Sequence, residues 1–219
     1  MKHLSSFAVI GCGRFGGNLA LTLSQLGNEV LVVDKDENKV NDLAEFVTYA
    51  VQADVGQEGA LDEIGLRNVD TAVIATSSNF EASIMATAIC KEKGIKNIIA
   101  KAKSEQHAKI LEQVGANRTI LPERDMGIRL GHSLSRSSIY DYIELDTDHS
   151  IVELVVPDAW IGKSLESLDV RKNYDVSIIG ILNTNYSNIN PSPDDVFREH
   201  DRLLILGTSD KVLEIEQLQ

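Results

Sequence analysis

The chain has 219 residues, 43% of them apolar, enough for a packed core and one or two domains. Its 33 acidic residues outweigh 21 Lys and Arg, leaving a formal charge of −12. That argues against nucleic acid and against anionic lipid, whose proteins bind through positive charge, and suits a partner with a basic surface, such as the cytoplasmic loops of an integral membrane protein.

In chain order, Phe7–Ile10 reads as a strand running straight into Gly11-Cys12-Gly13-Arg14-Phe15-Gly16-Gly17. A helix near 15–26 follows, with Phe15, Leu19, Leu23 and Leu26 on one face, and then a strand Glu29–Asp34. Strand, glycine turn, helix, strand and distal acid form a dinucleotide fingerprint in its proper context. Gly11 permits the tight turn, Gly13 lets the backbone approach a phosphate, and Gly16 lets the helix sit close on the strand. The helix N-terminus offers N–H groups and a positive dipole end. Asp34 suits ribose hydroxyls of either NAD or an adenosine nucleotide and argues only against NADP, whose phosphate it would repel. Asp36 is the alternative ribose partner, although it is placed to cap a helix beginning near Glu37. Arg14 brings a forked cation to the first turn of the helix and can reach a further phosphate. The plainer alternative is a solvated surface arginine.

Further strands are predicted at Val47–Val51, Thr71–Ala75, Asn97–Ala100 and Arg118–Leu121, with helices near 37–45, 58–64, 79–93 and 105–114. Alternation of this kind predicts a doubly wound parallel sheet, a Rossmann unit without insertions. One more helix is expected over 123–138, with Met126, Ile128, Leu130 and Leu134 near one face. Residues 1–138 are taken as the first domain and 139–219 as the second. In the second, Tyr140–Leu145 and Ile151–Val155 alternate as half-exposed antiparallel strands do. A short helix after Ser164, a strand Val176–Leu182, a polar loop Asn183–Asp195, a strand Arg202–Leu206 and a helix Asp210–Gln217 complete a small α+β domain.

The remaining chemistry is sparse. Cys12 and Cys90 are too few for a disulfide framework. The five histidines, His3, His107, His132, His149 and His200, are scattered and read as ordinary surface or capping residues without zinc spacing. No catalytic constellation stands out, so the chain reads as a non-enzyme. No signal peptide and no apolar run of about 18 residues is present, so it is expected to be cytoplasmic, with no direct insertion into the membrane.

The glycine motif, the segment Ile120-Leu121-Pro122-Glu123-Arg124-Asp125-Met126-Gly127 and the small C-terminal domain together resemble the RCK (regulator of potassium conductance) gating subunits of KtrA/KtrC type, relatives of TrkA. The resemblance spans essentially the whole chain. It implies a cytosolic regulatory subunit in which dimers assemble into an octameric ring docked on a membrane potassium channel subunit of KtrB/KtrD type. ATP and ADP would set the shape of the ring. By position, Gly11, Gly13, Arg14, Phe15 and Gly16 belong to the phosphate-binding motif, with Arg14 reaching the terminal phosphate of ATP across a subunit interface. Asp34 holds the ribose, Asp54 falls where the family contacts adenine, and Ala75 and Thr76 end the fourth strand beside the nucleotide. Glu123 matches a family acid that helps hold a cation (magnesium, calcium or sodium) at the ATP site, and the helix 123–138 matches a crossover between paired subunits. NAD and NADH stay open as ligands. Cyclic di-AMP is a further candidate at the C-terminal domain, with Ile161, Arg171, Ser177, Ile178 and Pro191 in the matching region. There Ser177 stands where some relatives carry Asn, and Asn183-Thr184-Asn185 near where they are often basic. The rival readings are an NAD-dependent oxidoreductase and a stand-alone nucleotide sensor.

Overall fold

The structure is a computed structural model that describes residues 5–57, 59–61, 64–76, 79–135 and 138–218. Its contacts divide the chain into two compact units, Met1–Pro122 and Glu123–Gln219.

The first unit is a six-stranded parallel sheet built from β1 (Ser6–Ile10), β2 (Glu29–Asp34), β3 (Tyr49–Gln52), β4 (Thr71–Ile74), β5 (Asn97–Lys101) and β6 (Arg118–Ile120). Its strand order is β3-β2-β1-β4-β5-β6. The central strands are apolar on both faces: Ala8, Val9 and Ile10 of β1 and Val30 to Val33 of β2 are all buried, as a sheet covered by helices on both sides requires. On one face Val9, Val30 and Val32 pack against Ala20 of α1 (Arg14–Gln25) and Leu43 of α2 (Glu37–Ala44). On the other, Ala8, Ile10, Ala72 and Ile74 pack with Ala86 and Cys90 of α3 (Phe80–Glu92) and Leu111 of α4 (Glu105–Val114). The chain changes face between β3 and β4, so β1 and β4 part at the switch point of the sheet, where ligands of such folds bind.

The helix expected at 58–64 is absent among the described residues of that span. Gly59–Leu61 is turn and Ile64 a bend, while residues 58, 62 and 63 lie outside the described residues. Leu61 nevertheless fills the core at 1% exposure, as does Leu66 of a 3-10 turn, Leu66–Asn68. The apolar spacing thus marked burial, while Gly59 and Gly65, both at positive φ, break a helix there.

The second unit takes in α5 (Pro122–Ser135) from its second residue onward and carries β7 (Ile139–Glu144), β8 (His149–Val155), α6 (Leu165–Leu168), α7 (Val170–Tyr174), β9 (Val176–Asn183), β10 (Tyr186–Ile189), β11 (Arg202–Thr208) and α8 (Ser209–Glu216). Its antiparallel sheet runs β10-β9-β11-β8-β7. Inward residues of alternate strand positions, Val152, Leu154, Ile181, Leu203 and Ile205, meet Trp160 and Phe197 in one core. The stretch expected as a polar loop from Asn183 to Asp195 contains β10, which pairs back on β9 through Tyr186↔Asn183 to Ile189↔Gly180. Its Asn and Ser residues hide it from a hydrophobic pattern. The single helix expected after Ser164 is two short ones, separated at Asp169 in the left-handed region (φ 42). The final part of the helix expected at 123–138 includes residues 136–137, outside the described residues. Helix α5 has no buried residue, and Met126, Ile128, Leu130 and Leu134 are all exposed. Within the unit it is tied to β7 by polar contacts. Arg129 forms a forked ion pair with Asp141, the Ser133 hydroxyl donates to the Tyr140 carbonyl at 2.9 Å, and His132 stacks on Tyr142.

Candidate nucleotide site

One cleft of the first unit is lined by Ile10, Gly11, Val33, Asp34, Lys35, Lys39, Ala53, Asp54, Val55, Thr76, Asn79 and Ala82. It lies at the C-terminal ends of β1 to β4. Gly11, Asp34, Asp54 and Thr76 are therefore brought together, each contributed by a different strand end.

The glycines of the turn serve distinct ends. Gly11 has φ +105, and a Cβ on it would lie 2.8 Å from the Thr76 nitrogen. A Cβ on Gly16 would lie 1.9 Å from the Gly11 carbonyl oxygen, so only glycine lets α1 rest on the turn. Gly13 is different. It has an ordinary φ of −69, and nothing stands within 4 Å of where its Cβ would be. Packing within the protomer gives no reason for glycine at that point, and its face is open.

The start of α1 is also open electrostatically. Helices α2, α3 and α4 each carry a side-chain cap, from Asp36, Asn79 and Ser104. Helix α1 starts at Gly13 with no side-chain cap and has no acid in its first turn. Its N–H groups and dipole are thus left to an anion. Arg14 is exposed in that first turn, and Phe15 behind it is covered by the Lys101 ammonium, 5.6 Å from the ring centroid. Gly16 is buried beneath, with Ala75 at 3.0 Å from its would-be Cβ.

Asp34 is more than a free acid at a strand end. Its Oδ2 accepts the Cys12 N–H at 2.7 Å and its Oδ1 accepts the Asp36 N–H at 2.9 Å. It therefore braces the glycine turn from the neighbouring strand while facing the cleft, and each oxygen keeps lone-pair capacity for a hydroxyl. Asp36 instead accepts the Asn38 N–H at 3.1 Å as the cap of α2 and is absent from the cleft lining. Beside Asp34, burial and then the Asp34 charge push the Cys12 thiol up to about 12, so Cys12 acts as a small apolar spacer. Asp54 Oδ1 accepts the Gly56 N–H at 3.0 Å. Lys35, Lys39 and Asn79 also line the cleft and were not singled out from sequence. The signal for Asn79 is its place just before the periodic run of α3, that of an N-cap. Nothing local marks the two lysines.

Other expected residues lie elsewhere. Glu123 stands exposed in the first turn of α5, in the second unit. Among the described residues no group of three or more His, Cys, Asp or Glu is arranged to hold a metal. Of the residues expected to take cyclic di-AMP, Ile178 is only 8% exposed and belongs to the core of the second unit, so it is not free to face a base. Ile161, Arg171 and Pro191 stand on three separate stretches: after a 3-10 turn, on α7, and after β10. His107, expected as an ordinary surface or capped histidine, is not at the surface: it is 3% exposed, with both ring nitrogens hydrogen-bonded. No described helix is long and apolar enough to cross a membrane.

Residues 7–122 match the TrkA-N domain and residues 150–219 the TrkA-C domain. The chain is similar to the Ktr system potassium uptake protein C of Bacillus subtilis, 38% identical over 96% of this chain and 96% of that protein. It is 42% identical to the Ktr system potassium uptake protein A of the same organism, over 92% of this chain and 90% of that one. Among solved structures, the GsuK RCK domain covers 99% of the chain at 19% identity with a TM-score of 0.65. A GsuK channel bound to NAD covers the same share at 22% identity and a TM-score of 0.53. The chain spans under half the length of those two structures, 48% and 38%, and the likeness establishes the RCK fold.

Proposed function

Because the chain belongs to the TrkA-N/TrkA-C family and is related along its whole length to the Ktr potassium uptake proteins, we propose that it is a nucleotide-binding regulatory subunit of a potassium transporter. The observation that carries the nucleotide half is the cleft itself, in which Asp34 faces ligand space beside an uncapped helix start and a glycine with an open face. A ligand with a phosphate and a vicinal diol fits that pairing: phosphate oxygens on the N–H groups of α1, ribose hydroxyls on Asp34.

In this reading the protein is not an enzyme. It acts by population shift, so ATP and ADP must differ in their affinity for two conformations of an assembly. The differential contact is the third phosphate, met by Arg14 of a neighbouring subunit and by a cation (magnesium, calcium or sodium) that Glu123 helps to hold. The assembly is a homo-oligomer of dimers, octameric in its full form, docked on a membrane potassium channel subunit of KtrB/KtrD type at the cytoplasmic face of the membrane. The four exposed apolar side chains of α5, with none buried in the protomer, support pairing between copies through that helix. The net charge of −12 supports docking on basic cytoplasmic loops. Cyclic di-AMP is a candidate second ligand of the C-terminal unit, with Arg171 for a phosphate and Ile161 and Pro191 beside the base.

Thermal shifts with ATP, ADP, NAD, NADH and cyclic di-AMP test the reading. ATP and ADP should both stabilise the first unit. Absence of a shift with every adenosine nucleotide overturns it, and turnover of NADH with an added substrate would favour the oxidoreductase instead.

A further inference from the structure

We propose that neutral His107 is a positioning residue for the α3 wall of the nucleotide cleft, bolting the first turn of α3 to the start of α4. The inference rests on the nucleotide reading above. The Ser83 hydroxyl donates to the Phe80 carbonyl at 2.7 Å, so its one proton is committed. Ser83 Oγ therefore accepts from His107 Nε2, 2.9 Å away. Across the ring, Nδ1 accepts the Lys103 N–H at 3.3 Å. Only the uncharged imidazole with its proton on Nε2 satisfies both contacts. The ring lies against Phe80, with centroids 4.8 Å apart, and the His107 N–H is itself capped by Ser104 Oγ at 3.2 Å.

The link to the cleft is short. Phe80 follows Asn79, whose Oδ1 accepts the Ala82 N–H at 3.1 Å. Asn79 and Ala82 both line the cleft, one on either side of Phe80. The groups that hold His107, Ser83 and the Phe80 carbonyl, are thus interleaved with the groups that form the wall. The next turn of α3 hangs on the same point, since Thr87 Oγ1 donates to the Ser83 carbonyl at 2.8 Å.

Protonation would undo the bolt. The ring is faced by Phe80 and Ser83 from α3 and by Lys103 and Ser104 from the turn between β5 and α4. Among the described residues the charge acting on it is that of Lys103. A second proton would go on Nδ1, aimed at a backbone N–H, in a buried site beside a cation. Burial first, and Lys103 second, hold its pKa below the ordinary 6.5. A base with a depressed folded pKa contributes stability that is complete above the unfolded pKa and declines as pH falls below it. The bolt is therefore firm at neutral pH and weakens below about pH 6.5.

Two variants and two readouts test this in the full chain. His107→Phe keeps a ring against Phe80 but loses both hydrogen bonds. His107→Gln keeps a donor toward Ser83 and does not titrate. At pH 7.5, calorimetry with ADP should show affinity lowered at least about threefold in His107→Phe and restored to within twofold in His107→Gln. Amide exchange, corrected for intrinsic rates, should show the Ala82–Thr87 stretch of the wild type losing up to about tenfold of its protection between pH 7.5 and 5.5, the limit set by one proton taken up at pKa 6.5. His107→Gln should stay level. If the wild type binds ADP but His107→Phe binds it equally well, the positioning role is overturned alone. The same holds if wild type and His107→Gln lose protection in parallel. If the wild type binds no ADP, the nucleotide reading falls and takes the inference with it.

Discussion

The two glycines that bracket Arg14 should respond oppositely to one added methyl. In Gly16→Ala the new Cβ starts 1.9 Å from the Gly11 carbonyl oxygen and 3.0 Å from the Ala75 Cβ. Clearing the oxygen requires α1 to move off the turn by about 1 Å or more. Both sides of the clash are close to rigid backbone, so the cost sits at or above the upper end of ordinary overpacking, about 3 kcal/mol. In Gly13→Ala the methyl enters space with no protein atom within 4 Å, at a φ of −69 that alanine adopts freely. Stability should stay within about 0.5 kcal/mol of wild type, since ordinary surface changes do no more. The ligand meets the methyl instead. Pushing a phosphate off the start of α1 breaks one charge-assisted hydrogen bond of about 1.5–3 kcal/mol, which is roughly 10–100-fold in affinity. Urea denaturation and ADP calorimetry on the two variants read both quantities. A Gly13→Ala protein that binds ADP like wild type would refute the assignment of that open face to a phosphate. A Gly16→Ala protein as stable as wild type would refute the packing argument.

Asp34→Ala should weaken ADP, ATP and NAD alike and also cost about 1–3 kcal/mol of stability, because it orphans the Cys12 and Asp36 N–H groups; an unchanged urea midpoint would show that the brace is dispensable. Arg14→Ala should weaken ATP by about 1.5–3 kcal/mol more than ADP, and equal losses by calorimetry would remove Arg14 from the terminal phosphate. Glu123→Gln should abolish the extra thermal stabilisation that magnesium or calcium gives the ATP complex while leaving the ADP complex unchanged; a mutant stabilised as much as wild type makes Glu123 a helix-start acid only. The thiols of Cys12 and Cys90 are both raised to about 12 by burial, so a thiol reagent at pH 8 should label neither in the native protein and both in urea, and fast native labelling would contradict their burial.

What was legible in the sequence followed from how directly a residue's type reports its surroundings. Runs such as Val30 to Val33 fit strands covered on both faces, and their alternation with helical segments made the parallel sheet legible. Gly11 and Gly16 were legible because no other residue survives their geometry. The strand β10 was not, because on this edge strand the polar Asn188 is half-buried against Asp195 while the apolar Ile189 is exposed, the reverse of a hydrophobic alternation. In the span expected as a helix at 58–64, Leu61 is buried as the apolar pattern implies, but Gly59 and Gly65 take positive φ. In the cleft, Gly11 and Asp34 were legible from the glycine motif and its distal acid, whereas Asp54, Ala75 and Thr76 were placed only by the family resemblance. The double hydrogen bonding of Asp34 and the burial of His107 depend on contacts between segments remote in sequence, which no local pattern carries.

Under the proposed function, nucleotide state sets potassium flow through a membrane partner. The most direct measurement is potassium flux in vesicles that hold a KtrB/KtrD-type channel subunit together with this protein, with ATP or ADP added. Flux should be faster with ATP than with ADP, and the difference should shrink in Arg14→Ala. Equal flux with ATP, ADP and no nucleotide, from a protein shown by calorimetry to bind both, would contradict it.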